Sequence, residues 1–121
     1  MIDIAYQGFG EGLEQDAMAT RKVTAAMPET IIATSCSKNF GIYRERTGML
    51  MVVSHDTSAK SLTQATLAYL NRQNFSFPPD HGARLVTMIL NDDALRAARR
   101  TVPAKDPRTG VAGVPGAFRV D

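Results

Sequence analysis

Two uncharged runs rich in β-branched and other apolar residues constrain the fold of this chain most: TIIATS (30–35) and MLMVVS (49–54). A short continuous run of this kind predicts a strand that is covered on both faces. Stretches with helical spacing lie before and after the two runs, as at 13–26. Strands of this kind between helices indicate an α/β fold with a largely buried sheet.

The rest of the sequence predicts one further strand and more helices. MIDIAY (1–6) alternates apolar and polar residues as a short strand does, and a glycine-rich turn follows it. Helices are predicted at 13–26, from Asp56 or Thr57 to about 71, and from His81 to Leu90 with a continuation to Arg100 left open. Residues 37–48 are expected to form an irregular loop. Because three strands make a narrow sheet, we expect exposed apolar edges and faces.

Length and composition indicate one soluble domain. The chain has 121 residues and a net charge of +2, which is too balanced for a typical nucleic-acid-binding protein. The single cysteine, Cys36, excludes an internal disulfide framework and a cysteine-based zinc site. No apolar run approaches the roughly 20 residues of a membrane helix, and the start lacks the pattern of a secretory signal. These features predict a cytoplasmic protein.

The last part of the chain differs in composition from the rest. Residues 101–121 contain three of the six prolines and three of the nine glycines. The prolines interrupt any helix, and no apolar alternation is long enough for a strand. We therefore expect an ordered part at 1–100 and an irregular Pro/Gly-rich tail at 101–121.

Several candidate sites are weak on their own. The segment GFGEG (8–12) would need glycine at position 13 to complete a dinucleotide-binding G-x-G-x-x-G motif, but Leu13 stands there. His55 and His81 have no partner at metal-ligand spacing, so no metal site is predicted. A solvated cationic face is expected at the end of the last helix, formed by Arg96, Arg99 and Arg100.

The segment SCSKNFGIYRER (35–46) carries the strongest candidate site. Two hydroxyl residues, Ser35 and Ser37, bracket Lys38, and Arg46 follows eight residues later. Hydroxyl donors and a guanidinium fork suit the oxygens of a phosphate group, and a lysine amine can form a Schiff base with an aldehyde. The residues alone are compatible with a phosphate-bearing cofactor site and with a surface loop of solvated charges.

Three segments of the chain resemble one known family. IDIAYQGFGEGLEQDA, SCSKNFGIYRERTG and RQNFSFPPDHG follow the order and spacing of the pyridoxal-phosphate-dependent class I aminotransferases, in the aspartate and aromatic amino-acid branch. The resemblance covers roughly residues 2–97. It implies a fragment of the large cofactor-binding domain of a fold-type I enzyme, with about three strands and flanking helices at 1–100. The implied cofactor is pyridoxal 5'-phosphate.

The resemblance implies roles for three residues near the cofactor ring. Lys38 matches the catalytic lysine, which forms the Schiff base with the cofactor aldehyde and then transfers a proton between substrate and cofactor. Asp3 matches the aspartate that pairs with the pyridine nitrogen and keeps it protonated. Tyr6 matches the tyrosine whose hydroxyl bonds the phenolic oxygen of the cofactor.

Further matches imply ligands for the phosphate and for the substrate. Ser35, Ser37 and Arg46 match phosphate ligands of the family. Arg72 matches the arginine that reaches into the neighbouring subunit's site and binds the distal carboxylate of a dicarboxylate substrate. The family builds its site across the two-fold interface of a dimer, so the resemblance implies a homodimer here too.

The implied activity is transamination of aspartate or an aromatic amino acid with 2-oxoglutarate, with no nucleic-acid or membrane partner. Preference between the two substrate classes is left open, because aromatic members retain the arginine that matches Arg72. Family members are much longer and carry N-terminal and C-terminal parts that have no counterpart here. We therefore expect impaired turnover. The alternative is a non-catalytic remnant that binds pyridoxal phosphate without turnover.

Overall fold

The computed structural model describes residues 1–101, so the sequence predictions for 102–121 lie outside the described residues. A three-stranded sheet has the order β1 (Ile2–Ile4), β2 (Glu29–Ser35) and β3 (Gly48–Ser54). β1 and β2 are parallel, with Asp3 opposite Ala33. β2 and β3 are antiparallel, with Ser35 opposite Gly48. The predicted α/β class with about three strands is confirmed.

Helices connect and flank the strands. A parallel pair needs a crossover connection, which the two helices between β1 and β2 supply. Of these, the second packs against β2. The helices are α1 (Leu13–Asp16), α2 (Met18–Ala26), α3 (Cys36–Asn39), α4 (Lys60–Phe75), α5 (His81–Asn91) and α6 (Asp93–Thr101), with a 3-10 turn at Tyr43–Glu45. No helix in the described part of the chain is both long and apolar enough to span a membrane.

One predicted helix boundary is wrong, and the structure settles another that the sequence left open. The carboxylate of Asp56 accepts a hydrogen bond from the backbone N–H of Ser58 at 2.8 Å, which forms a turn, and α4 begins only at Lys60. The helix predicted from His81 to Leu90 is present as α5, and the continuation left open is a separate helix, α6. Asp92 has extended backbone angles and caps α6 by accepting from the N–H of Leu95 at 2.9 Å.

The segment expected to be an irregular loop also contains regular structure. The segment 37–48 contains most of α3 and the 3-10 turn. Ser35 caps α3, and its Oγ accepts a hydrogen bond from the backbone N–H of Ser37 at 3.2 Å. An N-cap serine of this kind satisfies one of the free amides at a helix start. The lysine predicted to lie in a loop therefore lies on a helical turn.

The prediction of a largely buried sheet is wrong, whereas the prediction of exposed apolar faces is confirmed. Ile32 on β2 is buried, with 5% of its surface exposed, but the run on β3 is not. Exposed fractions on β3 reach 57% for Met49 and 49% for Leu50. β3 is an edge strand of a three-stranded sheet, so it gains little cover from its neighbours among the described residues.

Candidate functional site

The candidate site lies where the parallel strands β1 and β2 end. Because the two strands run side by side in the same direction, the residues that follow them meet at one edge of the sheet. Tyr6 follows β1 and Lys38 follows β2. The Nζ atom of Lys38 lies 3.8 Å from the centroid of the Tyr6 ring, in a cation–π contact. Two residues predicted as site residues are therefore in direct contact.

Helix α3 begins at this edge and carries the lysine. The backbone N–H of Cys36 donates to the carbonyl of Thr47 at 2.9 Å, which ties the start of the turn to the segment before β3. Ser37 is buried, with 8% of its surface exposed. The burial of Cys36 raises the pKa of its thiol. A thiol whose pKa is raised by burial is a poorer nucleophile than a free cysteine.

Arg46 brings a cation to the same turn from the other side. Its Nη1 donates to the hydroxyl of Ser37 at 3.4 Å and to the carbonyl of Tyr43 at 3.1 Å. Arg46 has φ 50°, a left-handed conformation that a non-glycine residue adopts at a cost. Ser35, Ser37 and Arg46 thus come together as predicted, and they form a set of donors suited to phosphate oxygens.

Asp3 and Arg72 have fewer contacts with this group. Asp3 lies on β1 opposite Ala33, with an exposed side chain. Arg72 lies on α4, and its guanidinium carbon is 4.9 Å from the centroid of the Phe77 ring. Within residues 1–101, the structure shows no hydrogen bond or ion pair between either side chain and Lys38. Among the described residues, the structure thus brings Tyr6 to Lys38 and Arg46 to Ser37, and it shows no hydrogen bond or ion pair of Asp3 or Arg72 with either pair.

The glycine-rich loop after Tyr6 is held by a residue that the sequence did not single out. The carboxylate of Asp16 accepts backbone N–H donors from Gly8 at 2.7 Å, Gly10 at 2.9 Å and Glu11 at 2.9 Å. These hydrogen bonds, that from Gly10 first, lower the pKa of Asp16. A Cβ on Gly10 would lie 2.5 Å from Asp16 Oδ1, so a side chain at this position would displace the carboxylate. The signal in the sequence was an acidic residue, Asp16, placed shortly after three closely spaced glycines, whose backbone N–H groups it can accept from.

The start of α5 packs on the turn that precedes Arg46. His81 Nδ1 lies 2.8 Å from Glu45 Oε2. A Cβ on Gly82 would lie 1.9 Å from Thr47 Oγ1, so only glycine lets the helix approach this closely. His81 is thus a partner of Glu45, and among the described residues no three His, Cys, Asp or Glu side chains are grouped as a metal site.

The arginine predicted to lie on a solvated face is partly buried instead. The Arg99 Nη2 donates to the carbonyl of Asn39 at 3.1 Å, and its guanidinium carbon is 4.2 Å from the centroid of the Phe40 ring. Burial lowers the pKa of Arg99. The prediction failed because the contact joins residues sixty positions apart, which helical spacing cannot show. Arg96, by contrast, pairs with Asp93 at the surface of α6.

Comparisons with known proteins agree on one family. The family described as aminotransferase class I and II matches residues 1–105. The chain is 56% identical over 97 residues to the aromatic-amino-acid aminotransferase of Paracoccus denitrificans, covering 80% of this chain and 25% of that protein. It is 45% identical over 97 residues to the aspartate aminotransferase of Escherichia coli, covering 80% and 24%.

Solved structures give the same result. An aromatic amino acid aminotransferase with 3-indolebutyric acid superposes with a TM-score of 0.79 at 53% identity, covering 82% of this chain and 25% of that one. The aromatic-amino-acid aminotransferase of Burkholderia pseudomallei, covalently bound to pyridoxal phosphate, superposes with a TM-score of 0.77 at 39% identity, covering 81% and 25%. The chain spans about a quarter of the length of these relatives. It belongs to the class I and II aminotransferase family, as its three sequence segments predicted.

Proposed function

We propose that this chain is part of a pyridoxal-phosphate-dependent aminotransferase that exchanges an amino group between aspartate or an aromatic amino acid and 2-oxoglutarate. The observation that carries the proposal is the contact of Lys38 Nζ with the Tyr6 ring, beside the Ser37–Arg46 pair. A reactive amine, an aromatic hydroxyl and phosphate-type donors thus share one edge of the sheet. Relatives named as aromatic-amino-acid and aspartate aminotransferases support the reaction class.

The donors present fit pyridoxal phosphate. Arg46 Nη1 lies 3.4 Å from the Ser37 hydroxyl, and Ser35 lies at the start of the same turn, so these three residues would hold the phosphate. Lys38 would bind the aldehyde covalently through its amine. Asp3 would pair with the pyridine nitrogen and Tyr6 with the phenolic oxygen. When bound, the cofactor supplies an electron sink for the electrons released when the substrate Cα loses its proton.

The residues of the chain would bind, orient and move a proton. Lys38 Nζ, once released from its covalent bond, would take the proton from the substrate Cα as a general base. The contact with the Tyr6 ring places Nζ at the end of β1, so the amine lies close to the reacting atoms when it acts in its neutral form. Ser37 is buried, which restricts its hydroxyl. This hydroxyl accepts a hydrogen bond from Arg46 and would donate its own to the phosphate.

The same proposal extends to the wider protein. Residues 1–100 would form part of the large cofactor-binding domain, and the family match extends to residue 105. Arg72 would bind the distal carboxylate of a dicarboxylate substrate in the site of a neighbouring subunit of a homodimer. Its exposed position on α4 leaves the guanidinium accessible for such a contact. We place the protein in the cytoplasm, where amino acids and 2-oxoacids are available.

Absorbance spectroscopy tests the proposal directly. The purified chain is incubated with pyridoxal phosphate, and we expect a protein-bound absorbance band that Lys38→Ala abolishes. Lys60→Ala is the matched control, because Lys60 is exposed at the start of α4 and its removal changes the charge equally. Transamination is followed by 2-oxoglutarate-dependent loss of aspartate or phenylalanine. A band that survives in Lys38→Ala contradicts the assignment of Lys38.

A second candidate function is cofactor binding without turnover. The observation that favours it is the position of Arg72 on the exposed helix α4, where it contacts Phe77 and would meet a substrate only in the site of a neighbouring subunit. A Lys38-dependent band with no 2-oxoglutarate-dependent turnover of either substrate supports this candidate. Turnover that Arg72→Ala reduces for aspartate supports the aminotransferase.

A further inference from the structure

Helix α3 is too short to hold Lys38 in place by its own hydrogen bonds. It consists of four residues, Cys36–Asn39. One helical turn is unfavourable in isolation, because ordering its residues costs more than its few hydrogen bonds return. The direction of the Lys38 side chain therefore depends on what holds the two ends of the turn.

The N-terminal end of the turn is held by residues close to it. Ser35 caps the turn, and the backbone N–H of Cys36 donates to the carbonyl of Thr47. One contact comes from the end of β2 and the other from the residue before β3. The strands β2 and β3 already pair along their whole length. They fix where the turn begins but not where it ends.

The C-terminal end of the turn is held from α6. Arg99 Nη2 donates to the carbonyl of Asn39, the last residue of the turn, at 3.1 Å. The guanidinium also stacks on the ring of Phe40, the next residue, at 4.2 Å. A cation that donates to a carbonyl at a helix C-terminus complements both the unpaired acceptor and the helix dipole. One side chain thus fixes two consecutive residues directly after Lys38.

We propose that Arg99 is a positioning residue for Lys38. By binding the Asn39 carbonyl and stacking on Phe40, it keeps the lysine amine over the ring of Tyr6. The inference rests on the proposed function of Lys38, since positioning matters for the reaction only if that amine reacts. The planar guanidinium is suited to the task because it stacks and donates at once, which a lysine ammonium cannot do.

The contact is not one that stability alone would favour. Arg99 Nε and Asn39 Oδ1 are both buried, and neither has a hydrogen-bond partner among the described residues. A buried donor without a partner costs free energy that an apolar side chain at the same place would not. Arg99 is therefore better suited to orienting the turn than to stabilising the fold.

Trace labelling of the apo chain with acetic anhydride tests the inference without any cofactor. Mass spectrometry gives the labelling ratio of Lys38 to Lys60, with the exposed Lys60 as an internal reference. We expect Arg99→Ala to raise this ratio about threefold, which is the effect of losing one cation–π contact between Lys38 and Tyr6. Arg99→Lys should restore the ratio only in part. Arg100→Ala, an exposed neighbour on α6 with the same change in charge, should leave the ratio as in the parent chain.

Three results would overturn the inference. One is a ratio in Arg99→Ala within twofold of the parent chain while the circular dichroism spectrum is unchanged. Another is an equal rise in Arg100→Ala, which would show a general effect of charge. If Arg99→Ala unfolds, Phe40→Leu replaces it, because this variant removes the stacking partner and keeps the Asn39 hydrogen bond. An unchanged ratio in that folded variant also overturns the inference.

Incorporation of pyridoxal phosphate separates this inference from the proposed function. If the parent chain does not incorporate the cofactor at Lys38 but the labelling ratio still responds to Arg99→Ala, the proposed function fails and the positioning stands. If Lys38 incorporates the cofactor but the labelling ratio is unchanged in Arg99→Ala, the proposed function stands and the positioning fails.

Discussion

The turn that carries Lys38 and the helix that carries Arg72 are supported in opposite ways. The turn has only four residues, yet it is contacted by Tyr6 after β1, Thr47 before β3 and Arg99 on α6. Helix α4 has sixteen residues and buries none of them. Most of its large apolar side chains are exposed, with Leu62 at 72% and Tyr69 at 64%.

This difference separates the two halves of the candidate site. The residues proposed to bind the cofactor are placed by the sheet and by the segments that connect its strands, so the described residues suffice to bring them together. The residue proposed to bind the substrate lies on a surface that these residues do not fix. Cofactor binding should therefore be robust in this chain, whereas substrate binding should depend on contacts beyond α4. The following predictions test that division.

The largest effect is expected from Gly48→Ala, which changes the first residue of β3, opposite the residue that caps the Lys38 turn. A Cβ on Gly48 would lie 2.4 Å from the carbonyl oxygen of Thr34. That oxygen belongs to the backbone of β2, so it cannot move without breaking the pairing of β2 with β3. We expect a loss of about 3 kcal/mol in the free energy of unfolding. Urea denaturation followed by circular dichroism measures it.

Gly41→Ala is the matched control. Gly41 also lies between α3 and β3, but a Cβ there meets open space, and only its φ of 72° opposes the change. We expect a smaller loss of about 1 kcal/mol from the left-handed conformation alone. Equal losses in the two variants would show that close packing at Gly48 does not support the turn.

The next effect concerns binding rather than folding. Arg46→Ala removes the guanidinium that contacts Ser37, and we expect the affinity for pyridoxal phosphate to fall by about 30-fold, the value of one charged hydrogen bond. Affinity for pyridoxal, which lacks the phosphate, should not change. An absorbance titration with each compound gives both values.

Two variants of the same turn sharpen this result. Arg44→Ala removes an exposed arginine close by and should leave the affinity for both compounds unchanged. Arg46→Gly relieves the left-handed conformation while it removes the side chain, so we expect greater stability together with weaker phosphate binding. A loss of pyridoxal affinity equal to that of pyridoxal phosphate would contradict the phosphate assignment.

A smaller effect is expected at the loop after β1. The backbone donors lower the pKa of Asp16 in the folded chain, so its carboxylate stabilises the fold above the unfolded pKa of about 4. This contribution is lost as the pH falls through the lowered folded pKa. Asp16→Asn should therefore be less stable than the parent chain near neutral pH. The difference should be less than about 1 kcal/mol because the site is solvated, and it should shrink in acid.

Thermal unfolding at several pH values measures this difference. Glu11→Gln is the control, since Glu11 contributes its backbone N–H to the same loop and not its carboxylate. If Glu11→Gln shows the same pH-dependent loss, general charge rather than the Asp16 hydrogen bonds accounts for the effect.

The sequence predicted the parts of this molecule that depend on near neighbours along the chain. The α/β class followed from the spacing of apolar runs, and the phosphate-type group followed from Ser35, Ser37 and Arg46 within one short segment. Parallel pairing of β1 with β2 then brings Tyr6 to Lys38. The three segments that resemble the aminotransferase family predicted the reaction class, which the residues alone left open.

Other features depend on contacts that spacing along the chain does not encode. The Arg99 contact with Asn39 joins two elements sixty residues apart, and the cationic composition of α6 predicted only a solvated face. The apolar run 49–54 looked buried because its composition suits a covered strand, whereas its burial depends on which elements lie beside β3. The role of Asp16 depends on the exact path of the glycine loop.

The smallest effect is expected from Arg72→Ala on α4. Arg72 is exposed, and its aromatic contact is with the nearby Phe77 ring. We expect the free energy of unfolding to change by less than about 0.5 kcal/mol, as for most surface substitutions. The affinity for pyridoxal phosphate should not change. Urea denaturation and the absorbance titration used for Arg46→Ala measure the two quantities.

This last variant decides whether the two regions are independent. If Arg72→Ala weakens pyridoxal phosphate binding as much as Arg46→Ala does, α4 reaches the Lys38 turn in solution and the division fails. If it leaves cofactor binding intact but weakens the binding of aspartate more than that of phenylalanine, Arg72 acts on the distal carboxylate alone. The cofactor would then be held by the sheet edge and the substrate carboxylate by an arginine that another contact must bring to it.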